Sequence, residues 1–397
     1  MSEIPETLNA GFRQIHAESG LSRTALLKAY ARYAPKAGRK MLLSEFMALG
    51  LWRCETVPEG YIGTREAAEF SLRVNFKPDK RGLVGDKLLL DAALRGLGFP
   101  VPGLQAAYGT KKLRPPVQTL AHKGALAQYL RHGAIYPIFG KPRSGQNSED
   151  VLSITRYDPE ADRLHMSMGG CAPVDEIVAR LAPAYYQRGY LFQSRIRQHP
   201  RLCARIGEAV GTVRVITFLA ANRPRIIGAF WKIPRRDMLA DNLWRGGLMA
   251  AVDMETGQVG PARAGLGPVA RWHEAHPDTG APLSGLTLPD WEALCALVRD
   301  AATLLTGLPL VGWDIALGEH GPIIIEANTV PSLDLLQYGT QAPALPPELR
   351  AEMLAEVARL KRQNQANRKA RKANLRAKIR GRLARAFGIG RSGPNAP

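Results

Sequence analysis

The chain has 397 residues, 45% apolar and 22% charged, with 39 glycines and 29 prolines dispersed along it; this is globular composition, and it excludes a disordered, collagen-like or low-complexity chain. The length suits two or three domains. A net charge of +19, from 54 basic and 35 acidic residues, points first to a polyanion partner such as nucleic acid, a membrane surface or nucleotide phosphates.

The placement of the charge narrows this. Between Lys361 and Pro397 lie twelve Lys and Arg and no acid, and without those twelve the +19 falls to +7. A globular body with a cationic arm is expected, not a protein whose whole surface binds nucleic acid. Cys54, Cys171, Cys203 and Cys295 show no paired spacing. That fits a reducing compartment and argues against a disulfide framework or a zinc site. The first residues have no apolar signal core, and no run reaches ~18 apolar residues. The expected location is the cytoplasm.

In chain order, residues 1 to about 80 read as helical. Leu8, Phe12 and Ile15, then Leu26, Leu27, Tyr30 and Tyr33, recur at three- and four-residue steps. NFKPDKRG (75–82) reads as a turn-rich break. DKLLLDAALRGL (86–97) reads as a helix capped by Asp86 and ended by GFPVPG. From Ala134 the pattern becomes strand-like: AIYPIFGKP and VLSITRYD around a polar loop, then GYLFQSRI, TVRVITFLA and RIIGAFWKI. DWEALCALVRDAATLL (290–305) is an amphipathic helix. LVGWDIAL and PIIIEAN are strands around the turn GEHG, and Pro346 opens a last helix that runs into the basic arm.

The segment 310–332 carries the most chemistry. With Asp314 opposite Glu326 in a hairpin, strict alternation puts Val311, Trp313, Ile315 and Leu317 with Ile323, Ile325 and Ala327 on a core face. Gly312, Asp314 and Ala316 then face the other way with Ile324, Glu326 and Asn328. Two carboxylates ~5 Å apart repel, so a proton or a cation is expected between them. Neutralising one is then expected to hold or raise stability. Asn328 adds a third hard oxygen, and oxygen-only ligands favour Mg²⁺ or Mn²⁺. The plain alternative, a solvent-facing hairpin with hydrated acids, suits neighbours such as Ile-Ile-Ile and Trp poorly. Few protein ligands leave room for phosphate oxygens, and Lys87, Lys141 and Lys232 are candidate cations for them. Each taken alone is as well explained as a surface lysine. The loop after Lys141 can wrap phosphate with backbone N–H groups.

Together these residues resemble the ATP-grasp proteins: DK…GxPVP, xKP with a polar loop, then D…ExN. The pattern is similar to that of D-alanine–D-alanine ligases, and most similar to the sugar-transfer-associated, α-L-glutamate ligase-related group, over roughly residues 83 to 340. The resemblance implies an α+β ATP-grasp fold, two lobes clasping ATP, with a helical region at 1–80, lobes at 81–193 and 194–345, and a basic helical tail at 346–397. It implies ATP contacts from Lys87, Lys141, Ser144, Gly145, Gln193 and Lys232, with the loop 143–150 closing over the phosphates. Leu191 to Gln193 would form the hinge beside adenine. Asp314, Glu326 and Asn328 would hold Mg²⁺ (or Mn²⁺). Arg214 would face the transferred phosphate or a substrate carboxylate, replacing an Arg that many relatives carry where this chain has Gly312. DNLWRGG (241–247) would close over the acceptor through Asn242 and the Gly246–Gly247 pair. His199, before a proline, reads as structural rather than as a ribose neighbour.

The implied reaction joins a carboxylate to an amine through an acylphosphate, with small-molecule or sugar-linked substrates and a setting in cell-envelope or polysaccharide modification. Two alternatives remain: a kinase-like transfer to a hydroxyl, and a non-catalytic nucleotide-binding scaffold. In the tail, Leu375, Ile379, Leu383 and Phe387 form one stripe, flanked by Arg376, Lys378, Arg380, Arg382 and Arg385. The expectation is a peripheral anionic membrane contact through residues 361–390, against docking on the protein itself or non-specific RNA binding.

Overall fold

Five α-helices lie among the described residues up to 85 of the computed structural model, which describes residues 3–33, 41–109, 113, 117–145, 150–183 and 188–386. They run Glu3–Ser19, Arg23–Tyr33, Leu43–Ala48, Thr64–Val74 and Pro78–Gly85. The apolar spacing does what the periodicity requires: Ile15, Leu26 and Tyr33 are buried, and Tyr33 packs on Phe46 with ring centroids 5.5 Å apart. Leu27, expected in the same stripe, is exposed. The expected break at 75–82 is in large part a helix. Pro78 sits in its first turn, where the missing N–H is no loss and the fixed φ helps.

The helix Lys87–Gly96 follows. The Asp86 carboxylate accepts from Leu88 N and Leu89 N, the N-cap expected from DK. Leu90 and Leu94 on this helix enter the core beneath the second sheet.

Among the described residues there are two seven-stranded sheets. The first holds β1 Leu104–Tyr108, β2 Gln118–Leu120, β3 Ile138–Pro142, β4 Leu152–Asp158, β5 Arg163–Met166, β6 Cys171–Pro173 and β7 Tyr190–Ser194, in the order β2-β1-β7-β3-β4-β5-β6. Tyr108, Ile138, Ile154 and Phe192 pack beneath it with Val174, Ile177 and Leu181 of the helix Val174–Leu181. The second holds β8 Thr212–Ala220, β9 Arg223–Ile233, β10 Leu248–Val252, β11 Val259–Ala264, β12 Arg271–His273, β13 Leu310–Gly318 and β14 Gly321–Asn328, in the order β12-β11-β10-β9-β8-β13-β14. The amphipathic helix Trp291–Leu304 covers one face. Its Leu294, Val298 and Ala301 share a core with Val213, Val215, Trp231 and Trp313.

Asp314 pairs with Glu326, as the alternation argument requires, but the ladder does not continue regularly. A bulge follows, and Ile315 pairs with Ile324. The expected faces are therefore exchanged in part. Ile324 lies in the core, 1% exposed, while Ile325, expected in the core, lines the opposite side.

Residues 1–347 form one compact unit, and residues 348–397 the other. Over the described residues, the latter consists of the helix Pro347–Ala386 from its second residue on, unbroken through Gly381. No helix among the described residues is long and apolar enough to cross a membrane.

Candidate functional site

Alternation on the central strands sends one set of side chains to the two cores and the other into a shared cavity of about 840 Å³. This lies within the range of ordinary ligand sites. On the first sheet, Phe139 and Lys141 of β3 and Gln193 of β7 line it, Phe139 being the register partner of Gln193. On the second sheet the lining residues form a row across four strands. Phe230 (β9) is paired with Arg214 (β8), Arg214 with Asp314 (β13), and Asp314 with Glu326 (β14). Thr212 and Lys232 are paired one step along. Their sequence neighbours Val213, Val215, Trp231 and Trp313 point the other way, into the core.

Asp314 is flanked by two basic side chains on the side away from Glu326. Arg214 donates to Asp314 in a fork, Nε to Oδ1 at 2.5 Å and Nη2 to Oδ2 at 2.9 Å, and its Nη1 donates to Pro331 O at 3.1 Å. Lys232 Nζ donates to Asp314 Oδ2 at 3.1 Å and lies 3.5 Å from Asp241 Oδ2. Burial by itself would raise the Asp314 carboxyl, but Arg214 and Lys232 overcome it and hold the group well below the usual carboxylate range. The same balance raises Lys232: burial opposes its charge, and Asp241 and Asp314 outweigh burial. The repulsion inferred from the hairpin alone is thus already answered within the protein.

Gly312 explains how Arg214 gets there. A Cβ at 312 would meet Pro331 Cβ at 2.8 Å and Arg214 Cδ at 3.0 Å. The guanidinium arm from β8 crosses the space that a side chain at 312 would fill. An arginine from β8 therefore stands beside Asp314. Its Nε–Nη2 fork is taken by that carboxylate and one Nη1 N–H by Pro331 O, which leaves one N–H on each of Nη1 and Nη2.

Lys87 opens its helix at the cavity wall. Its Nζ donates to Gly145 O at 2.8 Å and lies 3.5 Å from Glu326 Oε2, so it joins the loop after β3 to the carboxylate hairpin. Arg143, at the start of that loop, forks onto Asp86. Gly145 lines the cavity; Ser144 is exposed and is not among the lining residues. Residues 146–149 of the expected closing loop lie outside the described residues.

Lys141 differs from the other two lysines. It is 7% exposed, and among the described residues nothing accepts a hydrogen bond from its Nζ. Burial pushes its ammonium down to about 8; Glu326 supports the charge, and Lys87 opposes it. A buried cation on a cavity wall, without an acceptor among the described residues, is suited chemically to an anion supplied from outside.

Sequence reasoning pointed to Asn242 and the glycine pair, but the same segment holds a stronger signal. Asp241 accepts from the N and Oγ1 of Thr212, and burial pushes its carboxyl up to about 6 against the pull of Lys232. Asn242 accepts from Trp244 N at 2.9 Å, and Gly246 takes φ +97°, so the segment closes as a short turn against the cavity. An acid flanked by Ala and Asn in a polar loop carries no sign of its burial, so Asp241 could be found only once β8 and β9 were placed beside it. His199 caps the helix Pro200–Ile206 by accepting from Arg201 N, and it does not line the cavity.

Glu326, Asn328 and Asp314 offer three oxygen donors on one side of the hairpin, with Asn328 Nδ2 3.2 Å from Glu326 Oε1. No cluster of three His, Cys, Asp or Glu that could hold a metal is present among the described residues. The set fits a hard cation that keeps most of its coordination for phosphate oxygens and water, as Mg²⁺ does, rather than a full protein cage.

Residues 65–350 match the model of a family described as sugar-transfer associated ATP-grasp. No curated protein matches the chain in sequence. Among solved structures, a D-alanine–D-alanine ligase from Coxiella burnetii is similar at 13% identity and a TM-score of 0.44, covering 74% of this chain and 62% of its own. An L-amino acid ligase from Bacillus licheniformis is similar at 12% identity and 0.39, covering 69% and 51%. A D-alanine–D-alanine ligase from Bacillus anthracis, complexed with ATP, is similar at 13% and 0.38, covering 71% and 69%. The chain spans less than two thirds of the first two of these structures.

Proposed function

The chain belongs to the sugar-transfer associated ATP-grasp family and has the ATP-grasp fold, and from that premise we propose that it is an ATP- and Mg²⁺-dependent ligase joining a carboxylate to an amine. The observation that carries the reading is the cavity wall of Lys141, a buried ammonium with no acceptor among the described residues, facing a space also lined by Asp314, Glu326 and Asn328.

In this reading Lys141 and Lys87 neutralise the phosphates from the first sheet and Lys232 from the second. Gln193, buried on β7 with its amide 3.5 Å from Asp91 Oδ1, borders the adenine. Glu326 and Asn328, with Asp314 behind them, hold Mg²⁺. When bound, the metal neutralises charge that develops on the β- and γ-phosphate oxygens. A carboxylate oxygen of the substrate attacks the γ-phosphorus and ADP leaves. An amine then attacks the acyl carbon and phosphate leaves. Arg214 acts as a positioning residue that keeps Asp314 ionised and oriented. The protein supplies placement and charge, and the segment 241–247 covers the acceptor.

Kinase-like transfer to a hydroxyl is the second reading, favoured by the Arg214 fork being engaged on Asp314 rather than presented to a substrate carboxylate. ADP and phosphate release, measured with a panel of amino acids and sugar acids, separates the two. ADP, phosphate and an amide product support the ligase. ADP with a phosphorylated product and no free phosphate supports the kinase. Absence of nucleotide binding by calorimetry overturns both.

A further inference from the structure

Past residue 360 the last helix is cationic throughout. Eleven Lys and Arg lie between 361 and 386, and no acid follows Glu356. Leu375, Ile379 and Leu383 are 59%, 49% and 51% exposed. At 3.6 residues per turn, steps of four drift by about 40°, so the three share one stripe. The same geometry puts Arg376 and Arg380 along one side of the stripe and Lys378 and Arg382 along the other. Ala370, Ala373 and Ala377 fall behind it. From Ala373 to Leu383 the helix is thus sorted: an apolar line between two cationic borders, backed by small neutral residues.

We propose that this part of the helix lies in the headgroup layer of an anionic lipid bilayer, its apolar stripe toward the acyl chains and its Lys and Arg borders at the lipid phosphates. Two other occupants fit less of what is seen. A second copy of the helix would bring like charges together, and steps of four do not make the alternating three-and-four seam of a coiled coil. A nucleic acid would satisfy the charges but leave three exposed apolar side chains in water. A bilayer surface takes up both.

The proposal stands apart from the ATP-dependent reaction, because no residue lining the cavity lies beyond Leu335. The test is co-sedimentation with vesicles of phosphatidylcholine alone or mixed with phosphatidylglycerol. It compares the full chain, a chain ending at Leu360, and a full chain carrying Leu375→Gln, Ile379→Gln and Leu383→Gln, which keeps every charge. Nucleotide binding or melting of the 1–347 unit checks that each is folded. The full chain is expected to sediment with the mixed vesicles and not with phosphatidylcholine alone. Both altered chains should partition more weakly, on the order of tenfold or more. Equal sedimentation of the full chain and the chain ending at Leu360 overturns the proposal. So does a triple variant that sediments like the full chain, because the stripe would then not enter the layer. Retention by polyuridylate RNA without any vesicle binding also overturns it, in favour of a nucleic-acid arm.

Discussion

Two side chains define the electrostatics of the cavity, and each makes a separate prediction. Lys141 is buried with its ammonium pushed down to about 8. In the unfolded chain it titrates near 10.4. Between those values the folded protein binds fewer protons than the unfolded one, so this group makes stability rise as pH rises through that window. A bound polyphosphate would restore the proton. Nucleotide binding at pH 9 is therefore expected to take up protons, measured by calorimetry in buffers of different ionisation enthalpy. Lys141→Met should abolish the uptake and weaken binding by about 1.5–3 kcal/mol, the range for a hydrogen bond to a charged group. Proton uptake that survives in the variant would remove Lys141 from the phosphate site. Asp314 makes the second prediction, and the structure reverses what repulsion alone implies. Asp314→Asn does not relieve two acids; it leaves the buried Arg214 and Lys232 without their shared carboxylate. A loss of about 3–5 kcal/mol in urea unfolding is expected, with a milder effect for the Asp314→Leu, Arg214→Met pair. Unchanged stability of Asp314→Asn would mean that the fork contributes nothing.

The hairpin of β13 and β14 shows how one extra residue changes an element. Regular alternation from Asp314–Glu326 would bury Ile325 and present Ile324 to the cavity. The bulge does the opposite. It also puts two consecutive residues, Ile325 and Glu326, on the cavity wall, an apolar surface next to the acid. The register is checked by a pair of variants. Ile324→Ala removes a core side chain and should destabilise by about 2–5 kcal/mol, whereas Ile325→Ala should lose markedly less stability and act instead on ligand affinity. Equal losses, or the reverse order, would contradict the bulge. Nothing in PIIIEAN could announce it, because three identical apolar residues in a row carry no alternation to read.

At the scale of the molecule, the helical region and the second sheet are joined at the site. Asn75, 0% exposed, ends the helix Thr64–Val74. Its Nδ2 donates to Leu310 O at 2.5 Å and to Thr329 O at 2.8 Å, and its Oδ1 accepts from Leu310 N. One amide thus holds the start of β13 and the chain just past β14, the two ends of the carboxylate hairpin. Asn75→Ala would leave the Leu310 carbonyl and N–H buried without this partner, each worth about 1–3 kcal/mol, and free the half-buried Thr329 carbonyl. It should lower the unfolding midpoint and weaken nucleotide binding together. A variant that loses neither would show that the helical region does not support the site.

Much of this protein was legible in its sequence, because local chemistry carries it. Asp86 caps its helix whatever lies nearby, and alternating Val-Arg-Val and Trp-Asp-Ile sort polar from apolar on two strands of the second sheet. Asp314 faces Glu326 because the GEHG turn brings the two strands together. A run of Lys and Arg without acids remains a cationic helix. What only the tertiary structure decided is which charges meet. Arg214 lies 100 residues from Asp314 and Asp241 lies 29 residues from Thr212; no spacing along the chain encodes either pairing. They exist because β8 lies between β9 and β13, and because Gly312 leaves an opening through which an arginine can pass.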